Sequence, residues 1–75
     1  MGVMSSVPIS DDVIRLGQFL KLAGLADSGA QARELLEDGA VTVNGEDEAR
    51  RGRQLHRGDV VVVDAPNGQF TATVG

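Results

Sequence analysis

Residues 19–45 read FLKLAGLADSGAQARELLEDGAVTVNG, and the spacing of apolar residues changes within this stretch. Before Gly39 the apolar residues recur every three or four positions, which is typical of amphipathic helices. After it, Val41-Thr42-Val43 has the alternating pattern of a strand, and Asn44-Gly45 is a strong hairpin signal. The stretch therefore predicts an α+β fold in which the chain passes from helices to strands at Gly39.

A first helix is predicted from Val13 to Ala23, because its apolar residues follow helical spacing and Gly24 ends the pattern. A serine and two aspartates at residues 10–12 suit its N-terminal end, where an oxygen side chain caps free N–H groups. Upstream, Pro8 disfavours helix. Residues 1–12 are therefore predicted to form a flexible N-terminal leader.

A second, short helix is predicted behind Ser28-Gly29-Ala30-Gln31. This tetrapeptide has the form of a capping box, in which a hydroxyl and an amide side chain satisfy backbone N–H groups. Ala32, Leu35 and Leu36 lie on one stripe of that helix. Gly39 follows where a left-handed residue commonly ends a helix.

Four strands are predicted after the second helix. They cover about residues 41–43, 48–51, 60–63 and 69–74. Leu55 is a lone apolar anchor between the second and third strands, and Phe19 and Phe70 fit core positions. The predicted order is two helices followed by four strands, in a single domain that covers residues 13–75.

The composition gives little support to catalysis. The 75 residues contain no cysteine and one histidine, His56, so the sequence offers no thiolate ligands and no histidine cluster. It also has no glycine-rich phosphate loop and no spacing typical of a serine–histidine–aspartate triad. We therefore expect no enzymatic activity, no metal, no cofactor and no small-molecule substrate. No apolar run is long enough to span a bilayer, so a cytoplasmic monomer without a membrane partner is expected.

The charge is unevenly distributed along the chain. The formal net charge is −4, yet four of the seven cationic residues fall between Arg50 and Arg57. Acidic residues cluster elsewhere, and such segregation can give an acidic protein one positive face. The arginine-rich segment is therefore compatible with nucleic-acid binding and equally with a solvated surface.

A series of motifs occurs in order over about two-thirds of the chain, from Ile14 to Val63. They are Arg15-Leu16, Phe19-Leu20-Lys21-Leu22-Ala23-Gly24-Leu25, Ser28-Gly29-Ala30-Gln31-Ala32-Arg33, Leu35-Leu36, Gly39, Val41-Thr42-Val43-Asn44-Gly45 and Arg57-Gly58-Asp59-Val60-Val61. Together they resemble the S4 RNA-binding domain family, and in particular its small stand-alone YbcJ-like members.

The resemblance implies an α-L (S4-like) fold, in which two N-terminal helices pack on a small, mostly antiparallel sheet. It also implies binding of structured RNA, ribosomal or tRNA-like, across helix 2, the following hairpin and the arginine-rich loop. The implied RNA-binding positions are Arg15, Lys21, Ser28, Gly29, Gln31, Arg33, Asn44, Arg50, Arg51 and Arg53. The sequence departs from the family at Gly29, where a basic residue is common, and at residues 46–48, which are acidic.

These residue types suit RNA for physical reasons. A guanidinium meets phosphate oxygens two at a time, and the N-terminus of a helix is a natural anion site. Because Phe19 and Phe70 are assigned to the core, no exposed aromatic ring is left for stacking bases. The sequence therefore favours recognition of the backbone and shape of folded RNA.

Structural roles stay open for several of these positions. Arg33 can pair with Glu37 at helical spacing. The arginines at positions 50, 51 and 53 can protect an exposed edge strand from aggregation. A protein-interaction module with an S4-like fold that does not bind RNA is therefore the alternative function.

Overall fold

The computed structural model describes residues 3–66 and 68–75, which form an α+β fold. The helices are α1 (Leu16–Leu22) and α2 (Gly29–Glu37). The strands are β1 (Val3–Val7), β2 (Val13–Arg15), β3 (Val41–Val43), β4 (Glu46–Asp47), β5 (Gln54–His56), β6 (Val60–Ala65) and β7 (Gly68–Val74). Within the described ranges, no helix is long and apolar enough to cross a membrane.

The strands form two sheets. The larger has the order β1-β7-β6-β3-β4, and its pairs are antiparallel except for the parallel pair of β1 with β7. The smaller is the antiparallel pair of β2 with β5. The prediction of a mostly antiparallel sheet in an α+β fold is thus confirmed.

One hydrophobic core lies between the helices and the sheets. Its buried members are Leu16, Phe19, Leu20, Ala26, Ala32, Leu36, Val41, Val43, Leu55, Val61, Val63, Ala72 and Val74. The buried sheet positions alternate along β3, β6 and β7, as expected for strands that bury one face. Phe19 is in this core as predicted, whereas Phe70 on β7 is only half-buried.

The N-terminal segment differs from its prediction. Residues 3–7 were expected in a flexible leader, but they form β1, which pairs with β7 from Val3 opposite Phe70 to Val7 opposite Val74. The reason is that β7 otherwise has an open edge, and a strand laid along it satisfies the backbone groups of both. Met1 and Gly2, also assigned to the leader, lie outside the described residues.

The first helix is shorter than predicted. Val13–Arg15 forms β2, in which Ile14 lies opposite the buried Leu55 of β5. The β-branched pair Val13-Ile14 suits a strand, and the helix begins only at Leu16. The predicted cap at residues 10–12 is therefore wrong, and two strands precede the helices that were expected to be N-terminal.

The strand predicted at residues 48–51 does not form. The hairpin returns only as the two residues of β4, after which the chain leaves the sheet. The carboxylate of Glu48 instead accepts the backbone N–H groups of Ala49 and Arg50. Local side-chain hydrogen bonding thus replaces pairing in this segment.

The local signals around helix α2 and the hairpin are confirmed. The Ser28 hydroxyl accepts the N–H of Gln31 at 3.2 Å, and the Gln31 side chain accepts the N–H of Asp27. Gly39 has a φ of 71° just beyond the helix. Asn44-Gly45 has φ values of 53° and 85°, both positive as the tight hairpin turn requires.

Candidate functional site

A depression of about 390 Å³ lies between α1, the start of α2 and the loop formed by residues 48–53. Three cationic side chains from separate segments line it: Arg15 at the end of β2, Lys21 on α1 and Arg51 in the loop. The other lining residues are Gly17, Gln18, Gly29, Ala32 and Gly52. Within the described part of the chain no carboxylate lines the depression, and we call it the basic depression.

Helix α1 directs polar side chains to the basic depression because its other face is buried. Leu16, Phe19 and Leu20 are inaccessible to solvent and lie on one side of the helix. Gln18 and Lys21 are three positions apart on the exposed side, so they are neighbours on the helix surface. The core packing of α1 therefore determines that Lys21 lies on the exposed face, where it lines the basic depression.

Helix α2 contributes its N-terminal end. Gly29 is its first residue and is exposed. A Cβ added to Gly29 would lie in open space: apart from its chain neighbours and the backbone of its own helix, no atom of the described residues lies within 4 Å of it. The first turn contains no acidic residue. Backbone N–H groups and the positive end of the helix dipole therefore add to the field of the three cations.

The loop formed by residues 48–53 is fixed to the start of α1. The backbone N–H of Leu16 donates to the carbonyl of Arg53 at 2.8 Å, and that of Gly17 donates to the carbonyl of Arg51 at 3.0 Å. No side chain of the described residues caps α1, so these loop carbonyls satisfy N–H groups that the helix leaves free. The docking places the Arg51 side chain at the basic depression.

Glu48 holds the same loop from its other end. Its side chain is 8% exposed and accepts five hydrogen bonds. Two come from the Arg50 guanidinium, both at 3.1 Å, one from Arg53 at 3.0 Å, and two from backbone N–H groups. Bonds from Arg50, and then from Arg53, lower the pKa of Glu48 to about 2. The carboxylate is therefore ionised at neutral pH and neutralises part of the arginine-rich segment.

The ten positions implied by the family resemblance separate into groups. Four line the basic depression: Arg15, Lys21, Gly29 and Arg51. Ser28 and Gln31 form the cap of α2 and do not line the basic depression. Arg50 and Arg53 are paired with Glu48.

Arg33 and Asn44 make local contacts. Arg33 donates to Glu37 at 3.2 Å, the helical pair that was the alternative to an RNA contact. With Glu37, Arg33 lines a second, neighbouring depression that Arg51 also borders. The Asn44 amide donates to Asp59 at 3.1 Å, and its oxygen accepts the N–H of Val60 at 2.9 Å.

Asp59 closes this network beside the hairpin. It accepts the backbone N–H of His56 at 2.8 Å, and this bond, together with the one from Asn44, lowers its pKa. Asn44 thus joins the hairpin turn to the start of β6. That is a structural role, at a position that does not line the basic depression.

Sequence reasoning did not single out Gly17, Gln18, Gly52 or the role of Glu48. Gln18 could have been found, because it stands three residues before Lys21 on the same predicted helix. Glu48 gave no such signal, since it follows two other acidic residues that are exposed. Its burial depends on how the loop docks on α1.

Comparison with known proteins finds a matching family and similar proteins. Residues 7–71 match the family model described as S4 domain. The chain is 47% identical over 58 residues to the Probable ribosome maturation protein RlbA of Bacillus subtilis (strain 168), covering 77% of this chain and 82% of that protein.

A second relative is much longer. The chain is 33% identical over 69 residues to the Tyrosine--tRNA ligase of Aromatoleum aromaticum (strain DSM 19018 / LMG 30748 / EbN1), covering 92% of this chain but only 17% of that enzyme. Because the similarity covers so small a part of the ligase, its catalytic activity gives no argument for catalysis here.

Proposed function

Because the chain belongs to the S4 domain family, we propose that it binds structured RNA, in the first place ribosomal RNA, without catalysing a reaction. In this proposal the phosphate backbone of the RNA occupies the basic depression. The observation that carries it is the convergence of Arg15, Lys21 and Arg51, from three separate segments, on a surface without a carboxylate among the described residues.

Electrostatics supports a phosphate in this place. Each guanidinium offers a planar set of donors that fits two phosphate oxygens, and Lys21 adds a point charge. The free N–H groups at the start of α2 add further donors, which Gly29 leaves accessible. A net charge of −4 does not oppose this, because screening limits the influence of distant carboxylates to about 8 Å at physiological ionic strength.

The choice of ribosomal RNA rests on a relative. The Bacillus subtilis protein is named as a probable ribosome maturation protein and is similar over most of both chains. The tyrosine–tRNA ligase makes a folded transfer RNA the second RNA to test. Because the proposed contacts are with phosphates, we expect a preference for folded over unfolded RNA and little dependence on base sequence.

The test is the salt dependence of binding to purified ribosomal RNA, followed by fluorescence anisotropy of the labelled protein. Three cationic side chains that neutralise phosphates release counterions from the RNA, which gives a slope of about −2 to −3 in a plot of log K against log salt. Lys21→Ala should make the slope shallower by about 0.7–0.9. Arg57→Ala is the control, since Arg57 is paired with Asp12 and does not line the basic depression.

Two results would overturn the proposal: a slope near zero, or equal losses in Lys21→Ala and Arg57→Ala. The alternative, a protein-interaction module, predicts a co-purifying protein that nuclease treatment does not release. The RNA proposal predicts that nuclease abolishes co-purification with ribosomal particles.

A further inference from the structure

The docked loop and α1 are unusually close at Gly17. Gly17 lies in the first turn of α1 and is buried. The three atoms nearest to the position of a Cβ there all belong to Arg51: Cγ, which a methyl group would overlap, Cδ at 3.1 Å and the carbonyl oxygen at 3.5 Å. The Arg51 side chain thus passes directly over the Cα of Gly17.

Neither partner can easily move away. The N–H of Gly17 donates to the carbonyl of Arg51 at 3.0 Å, so the two backbones are held together. The next bond, from Leu16 to Arg53, and the hydrogen bonds around Glu48 hold the loop on both sides. A methyl group at position 17 therefore leaves one low-cost response, which is rotation of the Arg51 side chain about its first torsion.

Helix propensity gives no reason for a glycine here. A glycine in a helix has an unfavourable backbone entropy relative to alanine. Gly17 does not need a left-handed conformation, since it is absent from the glycines with positive φ in the described residues. The close passage of Arg51 is the feature that glycine permits.

We propose that Gly17 is a positioning residue for RNA binding: its missing side chain lets the Arg51 side chain cross α1 and reach the basic depression. This inference rests on the proposed function and adds to it a residue that itself needs no contact with RNA. In Gly17→Ala the Arg51 guanidinium turns out of the depression, and the RNA loses one phosphate contact.

A double-mutant cycle with Gly17→Ala, Arg51→Ala and the double variant tests this, using ribosomal RNA as the ligand. We expect each single variant to weaken binding about 10-fold or more and to make the salt slope shallower by about 0.7–0.9. The double variant should bind like Arg51→Ala alone, because the methyl group then displaces nothing. A purely structural effect of the methyl group would not give this equality of slopes.

The outcomes separate the two proposals. If Arg51→Ala binds like the wild type, the proposed site fails and the inference fails with it. If Arg51→Ala weakens binding and Gly17→Ala does not, only the inference fails. A further loss on adding Gly17→Ala to Arg51→Ala also overturns it.

Folding is followed by thermal denaturation and circular dichroism. If Gly17→Ala does not fold, the folding of the double variant tests the inference instead. Removal of the Arg51 side chain relieves the overlap, so the double variant is expected to fold with a thermal midpoint at or above that of Arg51→Ala. A double variant that also fails to fold would show that the methyl group meets something other than Arg51, and would contradict the inference.

Discussion

Two groups of cations in this molecule differ in what surrounds them. Arg50 and Arg53 share the carboxylate of Glu48, which takes hydrogen bonds from both. Arg51 lies between them in sequence but lines the basic depression with Lys21, where no described carboxylate opposes it. Neighbours of the same residue type thus have different electrostatic environments.

Exposure alone therefore does not identify a cation that binds a phosphate. The Arg50 side chain is 77% exposed, yet it shares with Arg53 a carboxylate about 3.1 Å away, which offsets one of their two charges. A phosphate that approached Arg50 would have to compete with Glu48 for the same donors. The cations of the basic depression have no such competitor in the part of the chain that the structure describes.

The largest effect is expected when two cations of the basic depression are removed and two paired cations elsewhere serve as the control. Arg15→Ala/Lys21→Ala removes two phosphate contacts, each worth about 1.5 kcal/mol or more, so affinity for ribosomal RNA should fall about 100-fold or further. Arg33→Ala/Arg57→Ala changes the net charge equally, but these side chains are paired with Glu37 and Asp12. Anisotropy titrations at one salt concentration compare them, and equal losses would mean that only total charge matters.

Adding a cation at the basic depression should raise the affinity for RNA. Gly29→Lys places an ammonium group in open space at the basic depression. We expect affinity for RNA to rise about five- to tenfold, for roughly 1–1.4 kcal/mol, and the salt slope to steepen by about 0.7–0.9. Ala30→Lys adds the same charge one residue later at a position that does not line the depression. A gain of equal size in Ala30→Lys would contradict the placement of the phosphate.

Acid should remove the contribution of the Glu48 carboxylate to the stability of the fold. The pKa of Glu48 is lowered from 4.5 to about 2 in the folded chain, so its ionised form stabilises the fold above the unfolded pKa. That contribution is lost as pH falls from about 4.5 to about 2. Urea denaturation across this range should show wild type and Glu48→Gln converging in free energy of unfolding, with wild type more stable near neutral pH. A constant difference at every pH would show that the charge of Glu48 is not what stabilises the loop.

The smallest effect is expected at Arg33. Its pair with Glu37 is exposed on both sides, so Arg33→Ala should cost about 0.3–0.5 kcal/mol of stability. Affinity for ribosomal RNA should change less than about twofold, since Arg33 is outside the basic depression. Urea denaturation and anisotropy measure the two effects. A loss of RNA affinity as large as that of Lys21→Ala would extend the binding surface along α2.

Features that depend on neighbours in sequence were predictable. The cap at Ser28 and Gln31 and the turn at Asn44-Gly45 each need only a few consecutive residues, and all are present as expected. Strands β1 and β2 were missed because their partners β7 and β5 lie far along the chain. A short strand with a distant partner leaves little local pattern to read.

The candidate site was predictable only in part, for a related reason. The resemblance named Arg15, Lys21 and Arg51, and residue type alone suited them to phosphate. Which arginines are neutralised depends on Glu48, whose burial follows from the docking of a loop on a helix. The role proposed for Gly17 depends on the same docking, so it too was outside the reach of sequence reasoning.

The place of β7 in the large sheet bears on how the chain folds during synthesis. β7 is the last strand of the described chain, yet it pairs on both edges, with β1 and with β6. Until residues 68–74 have left the ribosomal exit tunnel, β1 has no partner and one edge of β6 stays open. We therefore expect the sheet to close late, because the pairing of β1 with β7 is distant in sequence and slow to form.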